Sequence, residues 1–255
     1  MSVDPNRPSA ARIYDHYLGG VHNFAVDRAV AERALELVPE LPRIARANRA
    51  FLHRAVRYAQ DRGIRQFLDL GSGIPTAGNV HELVPASAAV VYCDIDPTAV
   101  VHARRLLADS NNTTILEADA VHAATILDDP ALRSLIDLRE PVCLLMVALL
   151  HFLPDTPDLR AALRHYHAAL APGSLLVVSH ATPSARPEDL ERFVDLYTRT
   201  GTAMVLRDRG ELLTLLDGWQ LVEPGLVYSP QWRSGEPVDD PAGYATLAAV
   251  AERRP

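Results

Sequence analysis

Three aspartates at a regular spacing carry the most suggestive chemistry in the chain. Asp69, Asp94 and Asp119 are 25 residues apart in each interval, and each lies within or shortly after an apolar run. Carboxylates at the ends of successive parallel strands meet at one edge of a sheet, where they accept hydrogen bonds from ribose hydroxyls or from an amino group of a base. The spacing therefore predicts a site for a cationic ligand that contains adenosine.

A glycine-containing turn follows the first of these aspartates, in the segment FLDLGSGIPT over residues 67–76. Gly71 and Gly73 allow the backbone to approach a ligand closely, because no Cβ intervenes. A dinucleotide site would need a third glycine, so that a helix N-terminus could reach a pyrophosphate, and Thr76 stands there after Pro75. The pattern favours S-adenosylmethionine (SAM) and leaves an NAD(P)-linked oxidoreductase as the less favoured alternative.

Short apolar runs alternate with helical stretches from residue 66 onward, which is typical of parallel βαβ units. The runs predict strands near 66–70, 89–93, 113–116, 141–147, 174–179 and 219–228, the last as one or two strands. The stretches between them predict helices near 76–84, 97–109, 120–138, 157–171, 187–201 and 208–217, and the helix over 120–138 is expected to be interrupted by Asp128, Asp129 and Pro130. The fold class is therefore α/β, with a mostly parallel sheet and helices on both faces.

A helical extension precedes this core. The spacing of apolar residues predicts helices over 10–18, 25–37 and 43–61. We therefore expect residues 1–62 to form an N-terminal extension that packs on the core, and residues 63–255 to form one compact unit.

The extension has the composition of a lid. The segment from Tyr14 to Phe24 is rich in aromatic residues and glycine, which suits a hinged cover that excludes water from a reacting centre. Simple helix packing is the alternative explanation. Tyr14, Tyr17 and Phe24 are the expected ligand contacts.

The helix predicted over 43–61 offers two candidates for the carboxylate of SAM, Arg46 and Asn48, because it leads directly into the first strand. The competing interpretation is that its arginines form a solvated face, as charged runs on helices usually do.

His151 follows the fourth predicted strand, close to where a methyl acceptor must lie. It is the candidate catalytic residue, since an imidazole there could deprotonate a hydroxyl or position one. A structural histidine is at least as good an interpretation. Attack on a sulfonium by a good nucleophile needs little acid–base help, because in-line approach and desolvation supply most of the rate.

Composition excludes several classes of protein. The 255 residues are 48% hydrophobic and 22% charged, with a net charge of −7, which argues against disorder and makes nucleic acid an improbable partner. No apolar run is long enough to span a bilayer and no signal peptide is present, so we expect a soluble, cytoplasmic protein. All 25 basic residues are arginine, which excludes Schiff-base chemistry on lysine. No metal site is predicted.

The motifs together resemble those of class I SAM-dependent methyltransferases. The motifs that show this resemblance are DLGSG at 69–73, DIDP at 94–97 and EADA at 117–120. Three further motifs resemble those of one family within this class, the actinobacterial SAM-dependent methyltransferases of largely unassigned substrate. They are YDHYLGG at 14–20, ARANRAFL at 45–52 and VALLHF at 147–152. The likeness covers nearly the whole chain.

The resemblance implies a Rossmann-like sheet of seven strands, with SAM bound across the ends of strands one to four and S-adenosylhomocysteine (SAH) as product. Residue by residue, it assigns Gly71 and Gly73 to the methionine portion, Asp69 to the turn or the ammonium group, Asp94 to the ribose with Asp96 able to share it, and Asp119 with the backbone of Ala120 to the adenine.

The expected activity is methyl transfer to a small molecule, of the kind made in secondary metabolism. A catalytically silent SAM-binding regulator or partner subunit is the alternative from another class, because the best-supported residues bind cofactor and none is an assured catalyst. The sequence does not identify the acceptor, and it is compatible with a homo-oligomer.

Overall fold

A mostly parallel sheet of eight strands forms the centre of the protein. The structure, a computed structural model, describes residues 4–74, 78–183 and 187–255. The strands are β1 (Gln66–Leu70), β2 (Ala89–Asp94), β3 (Thr113–Glu117), β4 (Cys143–Val147), β5 (Leu175–Ala181), β6 (Gln220–Leu221), β7 (Val227–Tyr228) and β8 (Thr246–Glu252). Their order is β3-β2-β1-β4-β5-β8-β6, with β7 also paired to β8. The five strands from β1 to β5 are parallel, and β8 runs antiparallel to β5.

The sheet confirms the predicted fold class and differs from the expected seven strands at its C-terminal side. The segment predicted over 219–228 divides into the two short strands β6 and β7. Strand β8, with the sequence TLAAVAE, was not predicted, because three of its seven residues are alanine, which is depleted in strands, and none is aromatic. Its seven-residue pairing with β5 overrides that local preference.

Ten α-helices accompany the strands in the described part of the chain. They are α1 (Ala10–Tyr17), α2 (Ala25–Leu37), α3 (Leu41–Asp61), α4 (Val80–Leu83), α5 (Pro97–Leu106), α6 (Ala123–Leu127), α7 (Pro130–Leu135), α8 (Pro157–Ala169), α9 (Pro187–Arg199) and α10 (Arg209–Leu215). The helix predicted over 120–138 is divided into α6 and α7, with Asp129 capping α7 before Pro130. None of these helices is long and apolar enough to cross a membrane.

Two apolar clusters cover the two faces of the sheet. In β1, Leu68 and Leu70 belong to the cluster beneath α6, α7 and α8, whereas Phe67 belongs to the cluster beneath α3. Side chains alternate between the faces of a strand, so Asp69 lies on the same face as Phe67, toward α3. This places the first aspartate of the series under the third helix of the N-terminal extension.

A third apolar cluster joins the N-terminal extension to the C-terminal half of the chain. Ile13 and Tyr17 of α1 and Ala31 of α2 pack with Phe193 and Tyr197 of α9. The first two helices are therefore supported by α9 rather than by the sheet itself, and the space beneath them lies over the ends of the strands.

Candidate functional site

A cavity of about 900 Å³ lies at the carboxyl ends of the first four strands. The turns that follow these strands form its inner wall, with residues 71–74, 94–98, 118–121 and 147–149. Residues of α1, α3 and α9 form the opposite wall. The carboxyl edge of an open α/β sheet is where such folds bind their ligands, so this cavity is the candidate site.

The glycine turn after β1 borders the cavity with its backbone. Gly71 and Gly73 have φ values of +67° and +68°, a conformation that disfavours other residues. A Cβ on Gly71 would lie 2.6 Å from Cδ1 of Leu149, whereas a Cβ on Gly73 would meet no atom within 4 Å. Gly71 is therefore needed for packing against the turn after β4, and Gly73 faces open space in which a ligand could approach the chain.

Asp94 joins the second strand to the glycine turn. Its Oδ2 accepts the backbone N–H of Gly73 at 2.7 Å, and its Oδ1 accepts the N–H of Asp96 at 2.8 Å. Burial raises the pKa of this carboxyl to about 6, although the two N–H donors stabilise the ionised form and so act to lower the pKa. A carboxylate oxygen can accept more than one hydrogen bond, so Asp94 can hold the turn and still accept from a diol.

Asp69 is buried beside the same turn. Burial raises the pKa of its carboxyl to about 7, while the positive charge of Arg49 acts to lower it and the charge of Asp94 acts to raise it. Both Asp69 and Arg49 line the cavity. The inner wall therefore holds two carboxyl groups that a cationic ligand would favour in their ionised form.

The turn after β3 places Asp119 and Ala120 on the cavity, as predicted. Asp119 accepts the N–H of Val121 at 3.0 Å through Oδ1, and the carbonyl of Ala120 accepts the hydroxyl of Tyr166 at 2.8 Å. The turn is thereby fixed from α8, and the second carboxylate oxygen of Asp119 makes no hydrogen bond that competes with a ligand among those the structure shows.

Asp96 has a different set of partners from Asp94. It caps α5 by accepting the N–H of Thr98 at 2.7 Å, and it also accepts the hydroxyl of Ser9 from the N-terminal extension. Each carboxylate oxygen has a further lone pair, so these contacts leave Asp96 able to share a ligand hydroxyl with Asp94.

A buried group of charges fastens the extension to this end of the sheet, and we name it the Arg12 clasp. It consists of Ser9, Arg12, Asp27, Asp96 and Thr98. The Arg12 side chain forms an ion pair of 2.7 Å with Asp27, donates to the Thr98 hydroxyl at 2.9 Å and lies 3.7 Å from the Asp96 carboxylate. Arg12 and Asp27 are 3% and 0% exposed, so these charges are satisfied by each other rather than by water.

Two tyrosines of α1 that were expected to contact a ligand line the cavity. Each of them belongs to a different hydrogen-bond network. Tyr14 donates to the carbonyl of Ala45 at 3.2 Å and accepts from Asn48 Nδ2 at 3.1 Å. The hydroxyl of Tyr17 lies 3.1 Å from that of Tyr197 in α9. Asn48 also lines the cavity, and its Oδ1 accepts the hydroxyl of Ser179 at 2.6 Å.

Two predicted contacts do not reach the cavity. Arg46 is exposed, because the face of α3 that turns inward carries Ala45, Asn48, Arg49 and Leu52, one helical step away from it. Arg49, three residues further along the same helix, lines the cavity instead. Phe24 is absent from the lining, and its ring instead lies 5.0 Å from the guanidinium of Arg12, where it covers the clasp.

A buried arginine holds the turn that carries His151. Arg207 is 3% exposed and donates to the carbonyls of Leu150 and Leu153, both at 2.8 Å. Its Nη1 also lies 2.9 Å from Nε2 of His180. A guanidinium has no acceptor, so His180 accepts at Nε2 and carries its proton on Nδ1, 2.5 Å from the Ala181 carbonyl.

His151 lines the cavity with its own tautomer set by the backbone. Its Nδ1 accepts the N–H of Ala181 at 3.3 Å, so the proton of the neutral ring lies on Nε2. Burial, together with the nearby His180 and Arg207, holds the pKa of His151 well below its usual range. The ring is therefore a neutral hydrogen-bond donor, and its basic nitrogen is already engaged.

Two residues used in the sequence analysis lie outside the described ranges, and three residues of the site were not predicted from the sequence. Pro75 and Thr76, on which the argument against a dinucleotide depends, lie outside them, and the described helix nearby is α4. In the described ranges no group of three or more His, Cys, Asp or Glu residues is placed to hold a metal ion. Sequence reasoning missed Arg12, Tyr197 and Arg207, whose partners lie far away along the chain.

Comparison with known proteins adds independent findings. A family model described as S-adenosyl methyltransferase matches residues 1–254. A proposed methyltransferase from Thermobifida fusca YX is 37% identical, with 98% of this chain and 96% of that chain covered and a TM-score of 0.91. A DUF574 family protein from Streptomyces avermitilis MA-4680 is 34% identical over 99% of this chain and 100% of that chain, with a TM-score of 0.92.

More distant structures share the fold alone. The magnesium protoporphyrin IX methyltransferase of Synechocystis PCC 6803, solved with bound SAH, is 16% identical over 94% of this chain and 93% of that chain, with a TM-score of 0.56. No curated protein matches the sequence.

Proposed function

The chain belongs to the S-adenosyl methyltransferase family and is a SAM-dependent methyltransferase, and we propose that its acceptor is a small molecule bound in the cavity at the carboxyl edge of the sheet. One observation carries this proposal. The same cavity of about 900 Å³ is bounded by the glycine turn and three carboxyl groups on one side and by apolar and aromatic side chains on the other. Such a space can hold SAM and a second small molecule together.

The residues of the inner wall fit SAM by their chemistry. We assign the ribose hydroxyls to Asp94, the adenine to Asp119 and the Ala120 backbone, and the methionine portion to the backbone at Gly71 and Gly73. Asp69 faces the same space and suits the ammonium group, since a buried carboxyl gains most from a nearby positive charge. Arg49 is the candidate for the carboxylate of SAM, in place of Arg46.

When bound, SAM supplies a methyl group made electrophilic by its sulfonium. The protein's part is to bring an acceptor atom in line with that methyl and to keep water away. We propose residues 1–62 as the cover that does this, because α1 and α3 line the cavity and the Arg12 clasp fastens the cover beside the second strand. A cover held by buried charges favours a small acceptor over a macromolecule, and the net charge of −7 disfavours a nucleic acid.

We assign His151 a positioning role rather than that of a general base. Its Nδ1 accepts from the Ala181 N–H, so the ring presents a donor, not an acceptor, to a ligand. An oxygen or nitrogen lone pair of the acceptor molecule is the natural partner for that N–H. The nucleophile would then accept the His151 N–H with one lone pair, attack the methyl with another, and lose its proton to water when the product leaves the covered site.

Isothermal titration calorimetry with SAM, SAH and NADH tests the cofactor site. We expect binding of both SAM and SAH and none of NADH. Asp94→Asn should weaken SAH binding by about tenfold or more, since it removes charge and one acceptor from the ribose site. Asp109→Asn, at an exposed position in the turn after α5, is the matched control and should bind as the wild type does.

Turnover distinguishes an enzyme from a silent SAM-binding protein. The purified protein is incubated with SAM and pools of small molecules, and SAH formation is followed. Acceptor-dependent SAH release that is lost in Asp94→Asn supports the proposal. Tight SAM binding with no release in any pool, but with release on addition of a protein or RNA, would reject the small-molecule acceptor.

A further inference from the structure

One part of the cavity, lined mainly by side chains of α1 and α9, has a distinct character, and we name it the acceptor chamber. Its walls are the side chains of Tyr17, Phe152, Leu190, Phe193, Tyr197 and Met204. All six belong to the apolar cluster that joins the N-terminal extension to α9. Phe152, Leu190 and Met204 are only partly buried within that cluster, so apolar surface is left facing the chamber.

Aromatic rings in the chamber are arranged as a continuous surface. The ring of Tyr197 lies 4.9 Å from that of Phe193 and 6.2 Å from that of Phe152, between centroids. These separations are those of interacting aromatic pairs, and the Phe152 and Tyr197 planes are inclined by only 30°. A flat ring can extend such a surface with face or edge contacts.

The chamber is continuous with the inner wall of the cavity. The centroid of the Phe152 ring lies 4.4 Å from that of His151. Leu149, two residues before His151, lies against the position that a Cβ of Gly71 would occupy. A molecule in the chamber therefore lies next to the turn that is assigned to the methionine portion of SAM. This placement suits the molecule that receives the methyl group.

One hydroxyl pair supplies the chamber with a directed hydrogen bond. The Tyr17 and Tyr197 hydroxyls are 3.1 Å apart and both residues are less than 10% exposed. Two hydroxyls carry two protons, and their mutual bond uses one of them. Burial raises the pKa of Tyr17 to about 12 and that of Tyr197 well above its ordinary value, so both stay neutral. The remaining O–H is a donor for an oxygen of the ligand.

None of the six side chains that form the chamber walls is charged, and Asp15 of α1 and Arg49 of α3 line the cavity outside this set. Asp69, Asp94 and Asp119 belong to the inner wall, and the Arg12 charge is matched by Asp27 in the clasp. Arg7 and Asp158 are exposed at the rim. A charged group carried into the chamber would lose its hydration and meet only apolar side chains and neutral hydroxyls, which is unfavourable.

We propose that the methyl acceptor is an uncharged molecule with a flat ring system, held against the surface formed by Phe152, Phe193 and Tyr197 and bound through an oxygen atom by the Tyr17–Tyr197 hydroxyl pair. This inference rests on the proposed methyltransferase function and specifies the substrate class of the same site. The neutral N–H of His151 at the inner end of the chamber is a second donor to the same molecule.

Three matched probes test the proposal on the full chain loaded with SAH. They are 1-naphthol, 1-naphthoate and 1-naphthylmethylammonium, which share one ring system and differ in charge. Binding is measured by calorimetry at neutral pH. We expect 1-naphthol to bind about tenfold or more tightly than either charged probe, because the chamber offers no compensation for lost hydration of a charge.

Two variants separate the hydroxyl pair from the general shape of the chamber. Tyr197→Phe should weaken 1-naphthol binding by about 3- to 10-fold, the effect of one hydrogen bond, and leave SAH binding unchanged. Tyr17→Phe provides the same test from the opposite wall if Tyr197→Phe fails to fold. The control is Tyr58→Phe on α3, whose hydroxyl is outside the cavity and lies 3.4 Å from Arg62.

The outcomes distinguish this proposal from the function on which it rests. Failure of SAH itself to bind would overturn the proposed function. SAH binding without binding of any probe would overturn the ring-shaped acceptor alone. Equal or tighter binding of a charged probe would overturn the uncharged acceptor, and an unchanged affinity for 1-naphthol in both tyrosine variants would overturn the role of the hydroxyl pair.

Discussion

The carboxylate of Asp94 accepts the backbone N–H of Gly73 at 2.7 Å, which ties the end of the second strand to the glycine turn after the first. The residue assigned to the ribose is thus also the residue that holds the turn assigned to the methionine portion. The two halves of the cofactor site are therefore mechanically linked, and a change at either position should affect both.

The two glycines of this turn should respond differently to a methyl group. Both have φ near +67°, so alanine brings about 1–2 kcal/mol of backbone strain at either position. Only at Gly71 does the new Cβ also overlap Leu149, and we expect a further loss of about 1–3 kcal/mol there. Gly71→Ala should therefore unfold at lower denaturant concentration than Gly73→Ala.

Ligand binding should reverse that order. Because the methyl of Gly73→Ala points into open space on the cavity, we expect SAH binding to weaken by about tenfold despite the smaller loss of stability. Urea unfolding and calorimetry of the same two proteins check both statements. Equal stabilities, or unaltered SAH affinity in Gly73→Ala, would contradict the geometry described for the turn.

Binding of SAM should release protons in a defined pH range. Burial raises the pKa of Asp69 to about 7 and that of Asp94 to about 6, so the ligand-free protein retains protons on these carboxyls above the range usual for aspartate. A cationic ligand favours the ionised forms and lowers both pKa values, which expels protons. Calorimetry at about pH 6.5 in two buffers of different ionisation enthalpy should give different apparent enthalpies.

Two controls belong to that measurement. At about pH 8.5 both carboxyls are already ionised, so the dependence on buffer should vanish. Asp69→Asn should reduce the proton release at the lower pH, because one of the two groups is removed. A buffer-independent enthalpy for the wild type at the lower pH would show that no buried carboxyl changes its ionisation on binding.

Breaking the Arg12 clasp should be costly. Arg12→Met leaves the carboxylate of Asp27 buried without its cation, and we expect a loss of about 3–5 kcal/mol in the free energy of unfolding. The matched control is Arg160→Met, which removes an equally short but exposed pair with Asp155 and should cost no more than about 1 kcal/mol. Thermal and urea unfolding of the two variants provide the comparison.

A second change in the clasp tests the cause. Asp27→Asn combined with Arg12→Met removes the uncompensated charge and should recover part of the stability. The single variant should also be cleaved faster by protease between α1 and α2, because the cover has lost its fastening. If Arg12→Met and Arg160→Met are equally stable, the clasp does not hold the cover.

Nitrogen-detected NMR of the imidazole rings tests the assignment of His151. We expect Nδ1 of His151 to be unprotonated and Nε2 protonated, and we expect His180 to show the opposite tautomer, as their hydrogen bonds require. Since burial keeps the pKa of His180 at about 4 and that of His151 well below its usual range, neither ring should charge as the pH falls from about 8 to about 6. The exposed His165 gives the reference signal. Protonation of His151 within that range would restore it as a candidate base.

Local sequence patterns were sufficient to predict many of the strands and helices and the aspartates at the strand ends. The strand predicted over 66–70 is β1 as observed, and the predicted helix over 25–37 is α2. Asp69, Asp94 and Asp119 share one edge of the sheet because each lies at or near the carboxyl end of its strand, and parallel strands bring these ends together. Apolar runs and glycine positions determine these features within a few residues.

The remaining features depend on contacts between distant parts of the chain. Arg46 and Arg49 are the same residue type in similar local sequence on α3. Only the rotation of this helix against the sheet decides which of them faces the cavity. The partners of Arg12 lie up to 86 residues away, and Tyr17 meets Tyr197 across 180 residues. No local pattern marks such pairs, since each is created by the packing of the extension on the core.

Strand β8 lies between β5 and β6 in the sheet although it is the last of the eight to be synthesised. While the ribosome is still translating, β5 therefore has an unpaired edge along its whole length until residues 246–252 emerge from the exit tunnel. Unpaired strand edges are sites of aggregation for nascent chains. Because Ala245 and Thr246 also contribute to the cavity wall, the wall of the ligand site is completed only at that moment, although the residues assigned to the cofactor have been synthesised well before it.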